Sequence, residues 1–263
     1  MKESLVDFIK TLVGDAEINI MQGYYDNPPV VNRNSFSLKN AIKRANKAAV
    51  IAEIKFSSPS AGAIRKGGIP VEIAISMERG GATALSILTE PKHFNGSIKG
   101  FASVAKRINL PLIMKDIIVS KKQIDAAHKI GSDVVLLIFT IFQKGYSSES
   151  LKELISYSHS KGLEVILECH SEEEFDSAIT SDADIVGINN RDLRSFVVDL
   201  VTTEKILGTK NISNKVIISE SGIKSNNDIK RLKKFGVNAF LVGSSIMRSK
   251  DVESKVRELA TSL

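Results

Sequence analysis

The stretch AVIAEIK at Ala49–Lys55 decides the fold, because it is a short apolar run, rich in strand-forming residues, that ends in charged residues. Seven further runs of this kind follow, with starts 21 to 35 residues apart. They are ALSILTE (Ala84–Glu90), PLIMKD (Pro111–Asp116), VVLLIF (Val134–Phe139), EVILEC (Glu164–Cys169), IVGINN (Ile185–Asn190), VIISES (Val216–Ser221) and AFLVGS (Ala239–Ser244). Most of these runs are almost continuously apolar, which predicts buried parallel strands.

Segments with helix start and stop signals separate the strands. Capping boxes, in which a serine precedes Gln or Glu by three residues, are predicted at Ser120–Gln123, Ser150–Glu153 and Ser171–Glu174. Glycines stand where left-handed helix ends are expected, at Gly131, Gly162 and Gly236. Eight strand-and-helix units predict an α/β protein with a single (β/α)8 TIM barrel. An open doubly wound sheet is the main alternative, but no G-x-G-x-x-G follows the first strand.

Residues 1–48 precede the first strand and predict an N-terminal helical extension that caps the barrel of residues 49–263. Two helices are expected in it, near Ser4–Val13 and Leu38–Ala48, joined by the extended stretch YYDNPPVV. The loop after the first strand, FSSPSAGAIRKGGIP, is long, rich in Ser and Gly, and carries Arg65 and Lys66. It fits either a mobile lid that grips an anion or a solvated connection.

Composition narrows the class of protein. Lys and Arg total 36 against 30 Asp and Glu, which fits a nucleic-acid binder or an enzyme for anionic small molecules. The charges are scattered and no Trp is available to stack on bases, so the enzyme is favoured. Cys169 has no partner for an internal disulfide, and the four histidines show no zinc-site spacing. No run approaches a membrane span and no signal peptide is recognised, so a cytoplasmic protein is expected.

Seven of the eight predicted strands turn polar at their C-terminal ends, which would ring one mouth of a closed barrel. Glu53 and Lys55 are two residues apart in an otherwise apolar strand and therefore face the same side. A charge that faces a barrel interior costs several kcal/mol unless it is paired or used, so these ends indicate a catalytic cavity. The other polar ends are Glu90, Lys115 with Asp116, Glu168, Asn189 with Asn190, Glu220 with Ser221, and Gly243 with Ser244.

The last two strand ends favour a phosphate site. Ser221-Gly222 and Gly243-Ser244 follow neighbouring strands of the barrel, where phosphate-binding barrels hold the anion on backbone amides and a helix N-terminus. Ordinary helix caps would explain the serines but not the pairing of Ser-Gly with Gly-Ser.

Six motifs, in order along the chain, resemble those of indole-3-glycerol phosphate synthase. They are IAEIKFSSPS (Ile51–Ser60), LTEPKHFNGS (Leu88–Ser97), MKDIIV (Met114–Val119), GINNRDL (Gly187–Leu193), SESGI (Ser219–Ile223) and AFLVGSS (Ala239–Ser245). The resemblance implies closure of 1-(2-carboxyphenylamino)-1-deoxyribulose 5-phosphate to indole-3-glycerol phosphate, with loss of carbon dioxide and water, in tryptophan biosynthesis. It implies no cofactor. The expected partner is this phosphorylated small molecule, not nucleic acid or a membrane, and the chain is expected to be a monomer or a weak homo-oligomer.

The resemblance also implies residue roles. Lys115 would protonate the ketose carbonyl, Lys55 and Glu168 would supply the acid and the base of the dehydration, and Glu53 would keep Lys55 charged. Which lysine acts in which step stays open. The full implied catalytic set is Glu53, Lys55, Lys115, Glu168, Asn189 and Ser221. Implied substrate contacts are Ser58, Pro59, Phe94, Leu136, Arg191, Gly222, Gly243 and Ser244.

Two positions depart from the family pattern, and both are expected to change substrate affinity rather than chemistry. Ile117 stands where an aromatic residue is common, and Phe56 where a basic one is usual.

Two rival functions remain. The isomerase that makes this substrate needs a cysteine base, but Cys169 is on the wrong strand; a non-catalytic phosphosugar-binding barrel would not need both lysines and both glutamates.

Overall fold

The computed structural model describes residues 8–193, 195–208, 210 and 214–261. The described residues form ten strands, eight of which close a parallel barrel in the order β1-β10-β9-β8-β7-β6-β5-β4. The strands are β1 (Ala49–Ile54), β2 (Ser57–Ser58), β3 (Gly62–Ala63), β4 (Ala84–Leu88), β5 (Leu112–Lys115), β6 (Val134–Ile138), β7 (Glu164–Cys169), β8 (Ile185–Asn189), β9 (Val216–Glu220) and β10 (Ala239–Val242). The predicted (β/α)8 barrel is confirmed, and each barrel strand begins within one residue of its predicted start.

Helices follow the barrel strands and cover its outside. Their bounds are α1 (Phe8–Met21), α2 (Leu38–Arg44), α3 (Pro70–Arg79), α4 (Ile98–Ala105), α5 (Lys121–Lys129), α6 (Phe139–Gln143), α7 (Leu151–Ser160), α8 (Glu172–Thr180), α9 (Val201–Leu207), α10 (Asn226–Lys233), α11 (Ser244–Met247) and α12 (Val252–Ala260). Within the described ranges, no helix is long and apolar enough to cross a membrane.

Two of the three predicted capping boxes are complete. They open α5 at Ser120 and α7 at Ser150. The third prediction was half wrong: Ser171 accepts the backbone N–H of Glu174, but the Glu174 carboxylate accepts from Thr140 Oγ1 at 2.6 Å and from the His170 N–H at 2.8 Å. Glu174 therefore ties its helix to neighbouring strand ends.

Side chains of the barrel strands alternate between two cores, as the two-residue period of a strand requires. One core fills the barrel interior, with Ile51, Ile113 and Ile218 among its fully buried members. The other lies between the strands and the outer helices and includes Val50 and Cys169. Residues of the interior set that stand at the C-terminal strand ends therefore face the mouth of the barrel.

The extension before β1 contacts both ends of the barrel. At the C-terminal end, Asp15 of α1 pairs with Lys92 and His93, each at 2.7 Å, in the loop after β4. At the opposite end, Ser37 Oγ donates to Glu164 Oε1 at 2.5 Å, where β7 begins, and Leu38 of α2 is fully buried in the interior core. The helix α1 runs to Met21, further than the predicted end at Val13, while Ser4–Asp7 lie outside the described residues.

The segment between α1 and α2 is fixed along the outside of the barrel. Arg33 Nη1 lies 2.6 Å from Asp133 Oδ2 and donates to the Gly131 carbonyl, while Nη2 donates to the Leu110 carbonyl. Tyr25 donates its hydroxyl hydrogen to Asp116 Oδ2 at 3.0 Å. These bonds hold the segment between α1 and α2 against the outside of the barrel.

Candidate active site

Two adjoining cavities open at the C-terminal mouth of the barrel. The inner one encloses about 100 Å³ and the outer one about 920 Å³, and Glu53, Lys55, Lys115, Arg191 and Ser221 line both. Every residue implied by the family resemblance lines at least one of them. The inner cavity also takes Ser58, Pro59, Phe94, Leu136, Glu168 and Asn189, and the outer one Gly222, Gly243 and Ser244.

Lys115 ends β5 and is the centre of the charged groups. Its Nζ donates to Glu220 Oε2 at 2.8 Å and lies 3.3 Å from Glu53 Oε2 and 3.9 Å from Glu168 Oε2. Burial by itself would lower the lysine pKa, but the three carboxylates outweigh it and raise the pKa above its usual value. Lys115 is therefore an ammonium group, and a positioned proton donor, at any physiological pH.

Glu53 lies between the two lysines. Its Oε1 accepts from Lys55 Nζ at 2.5 Å, and its side chain is only 1% exposed. Burial opposes its ionisation, yet the two ammonium groups hold its pKa at about 2. Gly243, after β10, leaves the necessary room, since a Cβ there would lie 2.4 Å from Glu53 Oε1. Glu53 is thus a permanent anion that orients both lysines.

Glu168 is the carboxyl group around Lys115 whose pKa lies near neutrality. Burial and then the negative charge of Glu220 raise its pKa to about 7, against the opposing effect of Lys115. Asn189 Nδ2 donates to its Oε1 at 3.1 Å and so fixes the carboxyl plane. A carboxyl group with a pKa near neutrality suits general acid or base catalysis.

Arg191 joins two loops above the cavity. Its backbone N–H donates to Asn189 Oδ1 at 3.0 Å, and its Nη1 donates to Ser60 Oγ at 2.8 Å and to the Phe196 carbonyl at 3.1 Å. Ser60 belongs to the loop after β1, in which β2 and β3 form a small hairpin. Arg65 of that loop does not face the cavities; it donates to the carbonyls of Met247 and Ser249.

A sharp turn after β9 shapes one side of the outer cavity. Ser221 and Gly222 both have left-handed backbone, with φ of 68° and 85°, and a Cβ on Gly222 would lie 2.7 Å from Val198 Cγ1. Two successive left-handed residues fold the chain sharply after β9. Across the cavity α11 begins at Ser244, and the lining includes cationic residues (Lys224, Arg231 and Arg248) as well as the acidic Asp199 and Asp228.

Sequence reasoning missed several residues of the site. Glu220 was noted only as a polar strand end, although it is fully buried and makes the shortest contact to Lys115. The apolar wall of the inner cavity, for which only Pro59, Phe94 and Leu136 were proposed, also contains Phe8, Leu12, Ile138, Leu193 and Phe196. Phe8 stacks edge-on against Phe196, with ring centroids 5.1 Å apart.

Two other acidic strand ends have structural partners. Glu90 accepts the backbone N–H groups of Lys92, His93 and Phe94 and so shapes the loop after β4. Asp116 accepts from Tyr25, as noted, and from Thr89 Oγ1 at 2.5 Å. Both residues border the inner cavity, but their carboxylates serve the loops that frame it.

The two departures from the family pattern lie in different places. Ile117 lines the inner cavity, whereas Phe56 packs against the core between strands and helices and lines neither cavity. The expected effect of Phe56 on substrate affinity therefore has no support from the geometry.

Cys169 belongs to the same outer core, and burial raises its thiol pKa, so it is not a base for the rival isomerase reaction. Across the described chain, no group of three His, Cys, Asp or Glu residues is placed to hold a metal ion.

A closed (β/α)8 barrel with two lysines and three buried carboxylates at its C-terminal mouth defines the class: a (β/α)8-barrel enzyme. The family model described as indole-3-glycerol phosphate synthase matches residues 13–259. The chain belongs to the indole-3-glycerol phosphate synthase family, which confirms the resemblance seen in the six motifs.

Similar proteins agree with this assignment. Indole-3-glycerol phosphate synthase of Methanocaldococcus jannaschii is 45% identical over 233 residues, covering 87% of this chain and 85% of that protein. The protein of the same name from Campylobacter fetus is 40% identical over 222 residues, covering 84% of each. A solved N-acetylmannosamine-6-phosphate 2-epimerase from Clostridium perfringens aligns with a TM-score of 0.61 at 17% identity, over 83% of this chain and 94% of that one. That likeness concerns the fold alone.

Proposed function

We propose that the chain converts 1-(2-carboxyphenylamino)-1-deoxyribulose 5-phosphate to indole-3-glycerol phosphate, carbon dioxide and water, as a carboxy-lyase of tryptophan biosynthesis. One observation carries the assignment of roles. A protonated Lys115 and a Glu168 whose pKa is about 7 face one small apolar cavity. The cavity suits the aromatic ring, and the wider basic cavity suits the phosphate. The reacting chain of the substrate would then bend over Lys115.

Ring closure needs an acid at the ketose oxygen. As the ring carbon that bears the carboxylate attacks the carbonyl carbon, Lys115 donates a proton and the carbonyl becomes a hydroxyl. The carbon–carboxylate bond then breaks, carbon dioxide leaves, and its electron pair restores the aromatic ring. Holding both reacting carbons together is the larger task, because oriented reactants gain up to about 7–11 kcal/mol over free ones.

Dehydration needs a second acid and a base. The hydroxyl leaves as water after protonation by a lysine ammonium, and Glu168 removes one proton from the new five-membered ring. We assign the second acid to Lys55, because Glu53 pairs with it and also with Lys115, which holds the two lysines in one cluster. Asn189 orients Glu168, and Arg191 with Lys55 offers cations to the substrate carboxylate.

The phosphate is assigned to the outer cavity, with backbone groups of Gly222, Gly243 and Ser244 and the Ser221 hydroxyl around it. Turnover of the synthetic substrate, followed by indole fluorescence, tests the whole proposal. Formation of indole product supports it. Binding without product would indicate a non-catalytic phosphosugar-binding barrel. Isomerisation of the precursor phosphoribosyl anthranilate would indicate the isomerase that makes this substrate.

The pH profile should report Glu168. A base must be ionised, so we expect kcat/KM to fall as the pH drops through about 7, the pKa of this carboxyl group in the free enzyme. Lys115 should cause no loss on the alkaline side up to its ordinary range, because its pKa is raised. A profile that is flat between pH 6 and 8 would contradict the assignment of the base.

The helix α1 should contribute to substrate affinity. Phe8→Ala removes an apolar wall of the inner cavity, and losing such contact is worth about 1–2 kcal/mol, or roughly a tenfold higher KM with a smaller change in kcat. Ile18→Ala on the same helix is the matched control, because Ile18 is 45% exposed and lines neither cavity. Equal KM values for the two variants would remove α1 from the binding site.

The proposal extends to the oligomeric state of the protein and to its compartment in the cell. We expect the chain to be a monomer or a weak homo-oligomer in the cytoplasm. Light scattering at micromolar concentration checks it against the monomer mass of 28.7 kDa.

A further inference from the structure

We infer that Gly187 is a positioning residue for the reaction, because its missing side chain leaves the recess in the barrel wall that holds Glu220 against Lys115. The inference rests on the proposed function. Gly187 lies in β8, in register with Glu168 on β7 and with Ile218 on β9. Since Glu168 and Ile218 face the barrel interior, Gly187 presents its bare backbone to the same space.

The Glu220 carboxylate occupies the volume that any other residue would fill at this position. A Cβ added to Gly187 would lie 2.3 Å from Glu220 Oε1, 3.4 Å from its Cδ and 3.3 Å from Ile166 Cγ2. The other oxygen of that carboxylate, Oε2, is the one that accepts from Lys115. Any movement that relieves the first contact therefore shifts the second.

Position 187 requires glycine because a side chain has no space there, not because the backbone adopts a conformation that favours glycine. Gly187 is not among the described glycines with positive φ, whereas Gly222 next to the site is. An alanine fits the backbone of β8 without strain. The tightest obstacle is the fully buried Glu220 carboxylate, which must shift to admit a Cβ, and Ile166 Cγ2 is the next contact.

Displacing Glu220 should also change how Glu168 titrates. The side chains that act on Glu168 are Lys115 from β5 and Asn189 from β8, which favour its ionised form, and Glu220 from β9, which disfavours it. If the Glu220 charge moves away, the pKa of Glu168 falls. The acidic limb of the pH profile then moves to lower pH, an effect that a loss of folding stability would not produce.

The test is Gly187→Ala, assayed with synthetic substrate beside wild type. We expect kcat to fall by about 10²-fold, with a KM change below about threefold, and the acidic limb to move to lower pH. Gly14→Ala is the control, because a Cβ at Gly14 in α1 meets no atom within 4 Å. Gly187→Ala with wild-type kcat and an unmoved limb would overturn the inference, whereas an inactive wild type would instead overturn the proposed function.

A second pair of variants makes the mechanism specific. Glu220→Asp shortens the side chain, so Gly187→Ala/Glu220→Asp should lose less activity than the product of the two single losses. Should Gly187→Ala fail to fold, Gly187→Ala/Glu220→Ala is compared with Glu220→Ala, and equal melting temperatures are expected because the obstacle is gone. Multiplicative losses in the first pair, or an unfolded protein in the second, would show that the recess does not serve Glu220.

Discussion

Replacing Lys115 with methionine should lower kcat by about 10⁴-fold, the largest effect expected of any single substitution in this chain. Methionine keeps most of the side-chain volume but removes the proton donor for the ketose oxygen. It also leaves Glu168 and Glu220 without the ammonium group within 4 Å that now balances them, while Glu53 keeps only Lys55. The measurement is single-turnover formation of indole product, with circular dichroism to confirm that the barrel is folded.

Folding must be followed because removing one partner of a buried ion pair commonly costs about 3–5 kcal/mol. Lys121→Met is the matched control, since Lys121 begins α5 and its side chain is 42% exposed. Lys115→Arg adds a second check: it restores the charge, but a planar fork does not deliver a proton from the same point, so little activity should return. A Lys115→Met variant with kcat within about tenfold of wild type would exclude this lysine as the first acid.

Glu168→Gln should lower kcat by about 10²–10⁴-fold and abolish the acidic limb of the pH profile. Glutamine keeps the shape and still accepts the hydrogen bond from Asn189, so only the base is lost. The variant that removes this charge should be more stable than wild type at pH 8. Burial and the charge of Glu220 raise the Glu168 pKa from its ordinary 4.5 to about 7, so in wild type the ionised carboxyl destabilises the fold as the pH rises through that interval.

The expected gain in stability is roughly 3 kcal/mol at pH 8, from about 1.4 kcal/mol per pKa unit. It should disappear below about pH 4.5, where the carboxyl is protonated in both states. Thermal melts at the two pH values measure it, and Glu173→Gln on exposed surface provides the reference. Lost activity together with unchanged or lower stability at pH 8 would mean that the structural role of Glu168 outweighs its burial cost.

Much of the barrel could be predicted because its strands are buried on both sides. Such strands need nearly unbroken apolar runs, so β1 and β7 stand out without knowledge of their neighbours. The carboxyl ends of parallel strands meet at one mouth, which brings Lys115 and Glu168 together from fold class alone. The sequence does not reveal the contact between Glu220 and Lys115, because no local pattern encodes the distance between residues of different strands.

The extension was predicted less well, for identifiable physical reasons. Gly14 and Asp15, which follow the predicted helix end at Val13, are weak helix formers. In the structure α1 continues to Met21, because Asp15 pairs with Lys92 and His93 and Ala16 is buried against the mouth. Tertiary contacts decided the length of this helix. The same contacts place Phe8 in the cavity, a role that helical spacing cannot distinguish from ordinary packing.

The path of the extension has a consequence for synthesis. Residues 8–44 leave the ribosome before every barrel strand, yet Ser37 bonds to Glu164, 127 residues later, and Phe8 stacks on Phe196. During synthesis α1 therefore carries an apolar face that stays uncovered until most of the barrel has been made. A prematurely terminated chain keeps that face exposed, which offers chaperones and proteases a means to recognise unfinished copies.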